Sequence, residues 1–183
     1  KVKIYAEREG IMENGVYSMS FVYLLSTLLT GQNLAVLGAF LAATLGGIGS
    51  AKGVGMVAQA ADGLLSEDPG IFGKVLLLVA LPGTQGIYGL ITAFLIMVKI
   101  GLIGSPVELT VAQGMYLLIA SLPIAIVGLI SAIHQAKVGV AGVQMLSKQR
   151  SEVGKAITNA ALVETYAILA LLISLLLIIF FKV

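Results

Sequence analysis

The sequence predicts an all-α membrane protein with four transmembrane helices that form two duplicated helical hairpins. Of its 183 residues, 58% are hydrophobic and 11% are charged, whereas an ordinary soluble domain carries roughly 25% charged residues. Mean hydropathy is +1.05, and four apolar runs each exceed the ~20 residues that a helix needs to cross a bilayer. Alternation with a period of two residues is absent, which argues against membrane strands.

Composition also excludes several classes of function. The chain has no cysteine and one histidine, so disulfide frameworks, thiolate metal sites and multi-histidine zinc sites are excluded. The net charge of +2 forms no basic patch and aromatic residues make up 7%, so nucleic-acid binding has no support.

Turn-forming residues divide the chain into its elements. The four apolar runs extend from Gln32 to Leu65, Gly73 to Ile103, Val107 to Leu146 and Ser151 to Val183. The clusters that separate them lie at residues 66–70, 101–106 and 147–151. We therefore predict an N-terminal extension with a short apolar segment (1–31), a first hairpin (32–103) and a second hairpin (107–183).

The distribution of charge predicts an orientation. The second hairpin tip carries Lys148, Arg150 and Lys155 against Glu152, and an excess of Lys and Arg favours the cytoplasmic side. We expect the hairpin tips, residues 65–73 and 147–151, to be cytoplasmic and the termini to lie on the outer side.

The two hairpins are related by an internal repeat. Residues 51–55 match residues 136–140 at an offset of 85, and residues 83–88 align with residues 164–169 at an offset of 81. The difference predicts a first hairpin tip that is four residues longer. At the second offset, Gly83 occupies the place that Glu164 holds in the second copy.

A stripe of small residues marks the first helix. It follows four-residue spacing and comprises Ala35, Ala39, Ala43, Gly47, Ala51 and Gly55. Small residues let helix backbones approach closely in lipid. The stripe is typical of a crowded seam such as the inner wall of a ring of identical subunits; packing within one chain is the alternative.

Glu164 is the candidate functional residue. It lies 13 residues beyond Ser151, a depth of about 20 Å at 1.5 Å per residue. A charged carboxylate at mid-membrane costs on the order of 3 kcal/mol, so we expect Glu164 to face a partner, a cavity or an ion. The alternative is a protonated glutamate that donates a hydrogen bond between helices.

Other polar side chains lie at the same depth. Thr84, Gln85 and Gln135 provide neutral oxygens near the one carboxylate, a set that suits a monovalent cation, because a divalent ion favours more than one carboxylate. His134 is adjacent to Gln135 but about 100° around the helix, and we interpret it as packed or interfacial rather than as a ligand.

Three segments together resemble the membrane rotor proteolipids of V-type ATPases, and most of all the bacterial sodium-translocating type. They are residues 81–89 (LPGTQGIYG), 135–138 (QAKV) and 162–167 (LVETYA). The resemblance implies a closed ring in which Glu164 binds Na⁺. By the same resemblance, Tyr88 would hydrogen-bond Glu164, and the sodium shell would be completed by the Leu81 main-chain carbonyl and the side chains of Thr84, Gln85 and Gln135.

The resemblance also implies a setting and partners. The chain would lie in a bacterial plasma membrane with identical copies, membrane lipids, a stator subunit that bears a fixed cation, and a central stalk at the cytoplasmic tips. It has no nucleotide motif, so it would be a non-catalytic subunit. Two alternatives stay open: the same rotor carrying H⁺, and a channel or structural four-helix protein, against which the single polar layer counts.

Overall fold

The computed structural model describes residues 22–105 and 107–182, and the described residues form helices and no strands. We number in chain order the five α-helices that follow residue 30: α1 (Gly31–Glu67), α2 (Phe72–Ala80), α3 (Thr84–Lys99), α4 (Val111–Lys148) and α5 (Val153–Ile179). A single 3₁₀ turn, Leu81–Gly83, joins α2 to α3. The result is four spans that are long and apolar enough to cross a membrane, so the predicted all-α fold with four spans is confirmed.

The described part begins just before the first span. Residues 22–28 are helical and precede α1, and Thr30 caps α1 by accepting a hydrogen bond from the backbone N–H of Asn33. Most of the predicted N-terminal extension, residues 1–21, lies outside the described residues.

The loop between the hairpins is longer than the sequence predicts. Helix α3 ends at Lys99 instead of continuing to Ile103, because the chain reverses at Gly101, whose φ of 73° favours glycine. Helix α4 begins at Val111 rather than at Val107, because Thr110 and Gln113 form a reciprocal capping box there.

The two hairpin tips have the same length, so the predicted offset of 85 for the first helices is wrong. Asp68 and Gln149 end α1 and α4 with the same φ of −141°, and a three-residue 3₁₀ turn follows each. These caps are 81 residues apart, as are Gly83 and Glu164. The two offsets differ by four residues, which is about one helical turn. Because the small residues recur every four positions, the two helices can also be aligned one turn out of register, and this produced the wrong offset.

Glycines bring the helices into close contact. A β-carbon at Gly49 of α1 would lie 2.8 Å from the α-carbon of Leu129 in α4, and one at Gly46 would lie 2.8 Å from the carbonyl oxygen of Gln85 in α3. In lipid, helices associate through this kind of packing because burial from water supplies no driving force. Helix α1 therefore packs against both α3 and α4, while α5 packs against α4 and α3.

The small-residue stripe on α1 divides into two halves. Ala35 and Ala39 are buried within the chain, whereas a β-carbon at Gly47 or Gly55 would meet open space. Ala35 and Ala39 thus serve packing inside the chain, whereas Gly47 and Gly55 are half-buried and have free space beside them.

Two apolar clusters enclose a polar layer. The cluster nearer the hairpin tips includes Val57, Leu78 and Leu146, and the cluster nearer the inter-hairpin loop includes Ile96 and Leu117. The side chains of Gln85 and Gln135, both fully buried, lie between the two clusters.

The hairpin tips are joined by charge. The Arg150 guanidinium lies 2.7 Å from the Asp68 carboxylate, and the Lys74 ammonium donates to the Arg150 carbonyl oxygen at 2.9 Å. Such exposed pairs contribute about 0–1 kcal/mol, so they fix the relative position of the two tips more than they stabilise the fold.

Gly89→Ala should destabilise the chain, because the added methyl group would collide with the carbonyl oxygen of Ala42. Overpacking of this kind costs about 1–3 kcal/mol, which would be measured as a lower free energy of unfolding in a detergent titration in mixed micelles. The matched control is Gly73→Ala, where a β-carbon meets nothing within 4 Å. Equal stability of the two variants would contradict the close packing of α1 on α3.

Candidate ion-binding site

The site lies at a break in the second span. Pro82 lies within the 3₁₀ turn between α2 and α3 and has no backbone N–H to donate to the preceding turn. The carbonyl oxygen of Leu81 accepts the Thr84 hydroxyl at 3.0 Å. The break thus brings a main-chain oxygen and a hydroxyl oxygen together at the start of α3.

Two buried amides connect α3 to α4 and α5. The Gln85 side-chain NH₂ donates to the Gln135 side-chain oxygen at 2.7 Å. The Gln135 NH₂ in turn donates to the carbonyl oxygen of Ala160 at 3.2 Å and to Glu164 Oε2 at 3.4 Å. The Gln85 side-chain oxygen lies 3.4 Å from the Thr84 hydroxyl, whose single hydrogen it shares with the nearer Leu81 carbonyl oxygen. Because unpaired buried amides are costly, these contacts fix both side chains.

Glu164 receives a hydrogen bond on each carboxylate oxygen. The Tyr88 hydroxyl donates to Oε1 at 2.6 Å, and Gln135 donates to Oε2. Both donors come from other helices, so the carboxylate is held toward the interior of the chain. The side chain remains partly exposed on the surface of the described chain.

All six predicted site residues lie in one continuous set of contacts. Thr84 joins Leu81 to Gln85, and Gln135 joins Gln85 to Glu164. Tyr88 contacts the other oxygen of Glu164. Within residues 22–105 and 107–182, no group of three His, Cys, Asp or Glu side chains could hold a metal ion. The arrangement offers one negative charge and several neutral oxygens, which is the charge balance of one monovalent cation.

Two groups near the site were not predicted. The carbonyl oxygen of Ala160 accepts from Gln135, and it lies one turn before Glu164, so helical spacing could have identified it. Ser50 accepts the backbone N–H of Gly86 at 2.7 Å and links α1 to α3 beside the site. Ser50 lies among other small residues, and nothing in the sequence around it predicts that it contacts α3.

His134 contributes nothing to this set of contacts. Its side chain is exposed on α4 and faces a surface cavity. An exposed position fits the interfacial alternative for His134, while packing within the chain does not hold for this residue.

Comparison with known proteins identifies the family. The family model for the C subunit of ATP synthase matches the chain twice, over residues 37–96 and 118–177. The chain belongs to this family. The two matches begin 81 residues apart, the same spacing as the two hairpin tips, and the resemblance drawn from the sequence motifs is confirmed.

Two curated relatives narrow the assignment within the family. The chain is 49% identical over 148 residues to V-type sodium ATPase subunit K of Enterococcus hirae, covering 81% of the chain and 92% of the relative. It is 36% identical over 146 residues to A-type ATP synthase subunit K of Methanocaldococcus jannaschii, covering 80% of the chain and 62% of that relative. Family membership makes the chain a multi-pass, non-catalytic membrane subunit.

Tyr88→Phe should make Glu164 more reactive toward a lipid-soluble carbodiimide, because it removes the hydrogen bond that holds the carboxylate inward. A hydrogen bond to a charged group contributes about 1.5–3 kcal/mol, which predicts labelling at least ~10-fold faster in sodium-free buffer. Tyr166→Phe, which alters an exposed tyrosine two residues from Glu164, is the control. Unchanged labelling of Tyr88→Phe would contradict a holding role for Tyr88.

Proposed function

We propose that the chain is a rotor-ring subunit of a V-type ATPase that carries Na⁺ across the membrane on Glu164. The observation that carries this proposal is the single carboxylate in the central layer of the spans, which contacts the buried amide of Gln135, and Gln135 in turn accepts from the buried amide of Gln85. The curated relative that is 49% identical bears the name of a sodium ATPase subunit, which favours Na⁺ over H⁺.

The proposed ligands are the groups that meet at the break in the second span. Glu164 supplies the negative charge, while neutral oxygens come from the side chains of Thr84, Gln85 and Gln135 and from the Leu81 carbonyl. Sodium is a hard cation for which oxygen ligands are suited. Its binding would neutralise Glu164, and Tyr88 would keep the carboxylate turned inward while the subunit passes through lipid.

Transport follows from the cost of an unpaired charge. A bare carboxylate facing hydrocarbon is unfavourable, so the loaded and nearly neutral site crosses the lipid phase. At the stator, a fixed cation competes for Glu164 and releases the ion into a half-channel, after which another ion binds. We propose that identical copies form a closed ring and that the cytoplasmic tips, 65–73 and 147–151, bind the central stalk.

The duplication sets the number of ions per chain. Gly83 holds the position of Glu164 in the first hairpin, so one carboxylate serves four spans. A ring with a given number of helices then moves fewer ions in each turn than a ring of single hairpins. Each ion receives more of the energy from ATP hydrolysis on other subunits, which suits an ion pump.

Sodium should protect Glu164 from carbodiimide at constant pH. The reagent needs a protonated and accessible carboxyl group, so a bound ion blocks the reaction. The experiment measures labelling of the purified ring across pH, with Na⁺ or with an equal concentration of a large inert cation. We expect protection by Na⁺ alone.

The control variant for this experiment is Glu164→Gln, which should not be labelled, should still form rings and should not transport Na⁺. Labelling that follows pH and ignores Na⁺ would replace the sodium rotor by the H⁺ rotor. An unreactive Glu164 at every pH, or failure of Glu164→Gln to assemble, would favour a purely structural role for this residue.

A further inference from the structure

A cavity of about 310 Å³ lies on the outer surface of α4 and α5, beside the proposed ion site. Its lining residues are Val127, Ile130, Ser131, His134, Val163 and Tyr166. Tyr166 is 67% exposed and Ile130 is 51% exposed in the isolated chain. Nothing within the described chain covers these two large side chains, so in the membrane either lipid or another copy of the chain covers them.

The internal repeat shows what covers this surface in the other hairpin. The six lining residues correspond, 81 positions earlier, to Gly46, Gly49, Ser50, Gly53, Pro82 and Gln85. All six of these counterparts are buried. Helix α4 covers two of them directly: a β-carbon at Gly49 would lie 2.8 Å from the α-carbon of Leu129, and one at Gly53 would lie 3.0 Å from the carbonyl oxygen of Ala132.

The covering residues have exposed counterparts of their own. Leu129 and Ala132 correspond to Ile48 and Ala51 of α1, and Ile48 is 52% exposed while Ala51 is exposed as well. The second hairpin therefore presents a cavity. The first hairpin presents Ile48 and Ala51, which are equivalent to the two residues that cover the corresponding surface inside the chain. A surface and its complement at different places on one chain make a head-to-tail contact between copies.

We propose that Ile48 and Ala51 of a neighbouring copy fill the cavity lined by His134 and Tyr166. This inference rests on the proposed ring and specifies which surfaces meet in it and in what register. It repeats between chains the contact that hairpin 1 makes with hairpin 2 inside one chain.

The contact between chains differs from its internal counterpart in spacing. Where α1 presents Gly49 and Gly53 to α4, the surface offered to the neighbour carries Ile130 and His134. The larger side chains hold the neighbouring α1 farther away, because the internal contact leaves no room for a β-carbon. Within the ring, α1 of each copy consequently lies closer to its own α4 than to the α4 of the neighbouring copy.

The contact between chains also lacks the means to bind an ion. In this contact, Gly83 and Val54 of the neighbouring copy take the places that Glu164 and Gln135 hold inside one chain. Leu169 takes the place of Tyr88. The hydroxyl of Thr165 still donates to the Leu162 carbonyl at 2.7 Å, as Thr84 does to Leu81. One feature of the site survives there, but the carboxylate and both amides are absent, since Tyr166 stands at the place of Gln85, so the contact offers no negative charge to an ion.

Thiol cross-linking of the intact ring tests the register directly, since the chain has no cysteine. The test pair is Ala51→Cys with His134→Cys, treated with a short bifunctional maleimide and separated on a denaturing gel. We expect a ladder of dimers, trimers and higher species. The control pair, Ala51→Cys with Ile119→Cys, moves the second thiol 15 residues along α4, about 22 Å away, and should leave the chain monomeric on the gel.

The outcomes separate this contact from the ring itself. The native mass of each variant is measured before cross-linking, and particles of single chains would overturn both the ring and the contact. Rings that yield no ladder with the test pair, or an equal ladder with the control pair, would overturn the contact alone. Full reaction of the His134→Cys thiol with a lipid-soluble maleimide in intact rings would show lipid in the cavity and would also overturn it.

Discussion

The high free energy of a carboxylate in hydrocarbon is the constraint on which the rest of this structure depends. Glu164 is tolerated because Tyr88 and Gln135 donate to its two oxygens, and these donors are within reach only because three spans converge closely. The convergence in turn requires glycine at Gly46 and Gly49, where backbone meets backbone. Packing, the break at Pro82 and the buried amides therefore serve one polar layer within an otherwise apolar molecule.

Gene duplication supplied the two hairpins, and divergence gave them different tasks. A single offset of 81 residues relates the two hairpins, yet the first copy carries Gly49 and Gly53 where the second carries Ile130 and His134. The first copy thus provides the tight internal packing, and the second provides the carboxylate and a broad outer surface. Because Gly83 stands where the second copy has Glu164, the chain is a four-span unit with a single candidate ion site.

The four spans and the polar layer could be predicted from the sequence, and there are physical reasons why other features could not. Composition and run length predict four spans, and helical depth places Glu164, Gln85 and Gln135 in one layer, since both quantities depend on counting along straight helices. The repeat offset of the first helices was wrong because small residues spaced by one turn match in more than one register. The contact of Ser50 with the Gly86 backbone N–H depends on a main-chain atom, which residue identity does not report, whereas the Thr110–Gln113 capping box and the spacing from Glu164 to Ala160 could have been found in the sequence.

The central claim is that each chain holds one sodium ion at one carboxylate. Equilibrium dialysis of the purified ring with radioactive sodium, at a pH where Na⁺ blocks labelling, measures the number of ions bound per chain. The account predicts one saturable site per chain, which disappears in the Gln135→Leu variant although its rings remain assembled. Two sites per chain would contradict the loss of the ion site in the first hairpin, and the absence of saturable binding would contradict the sodium rotor.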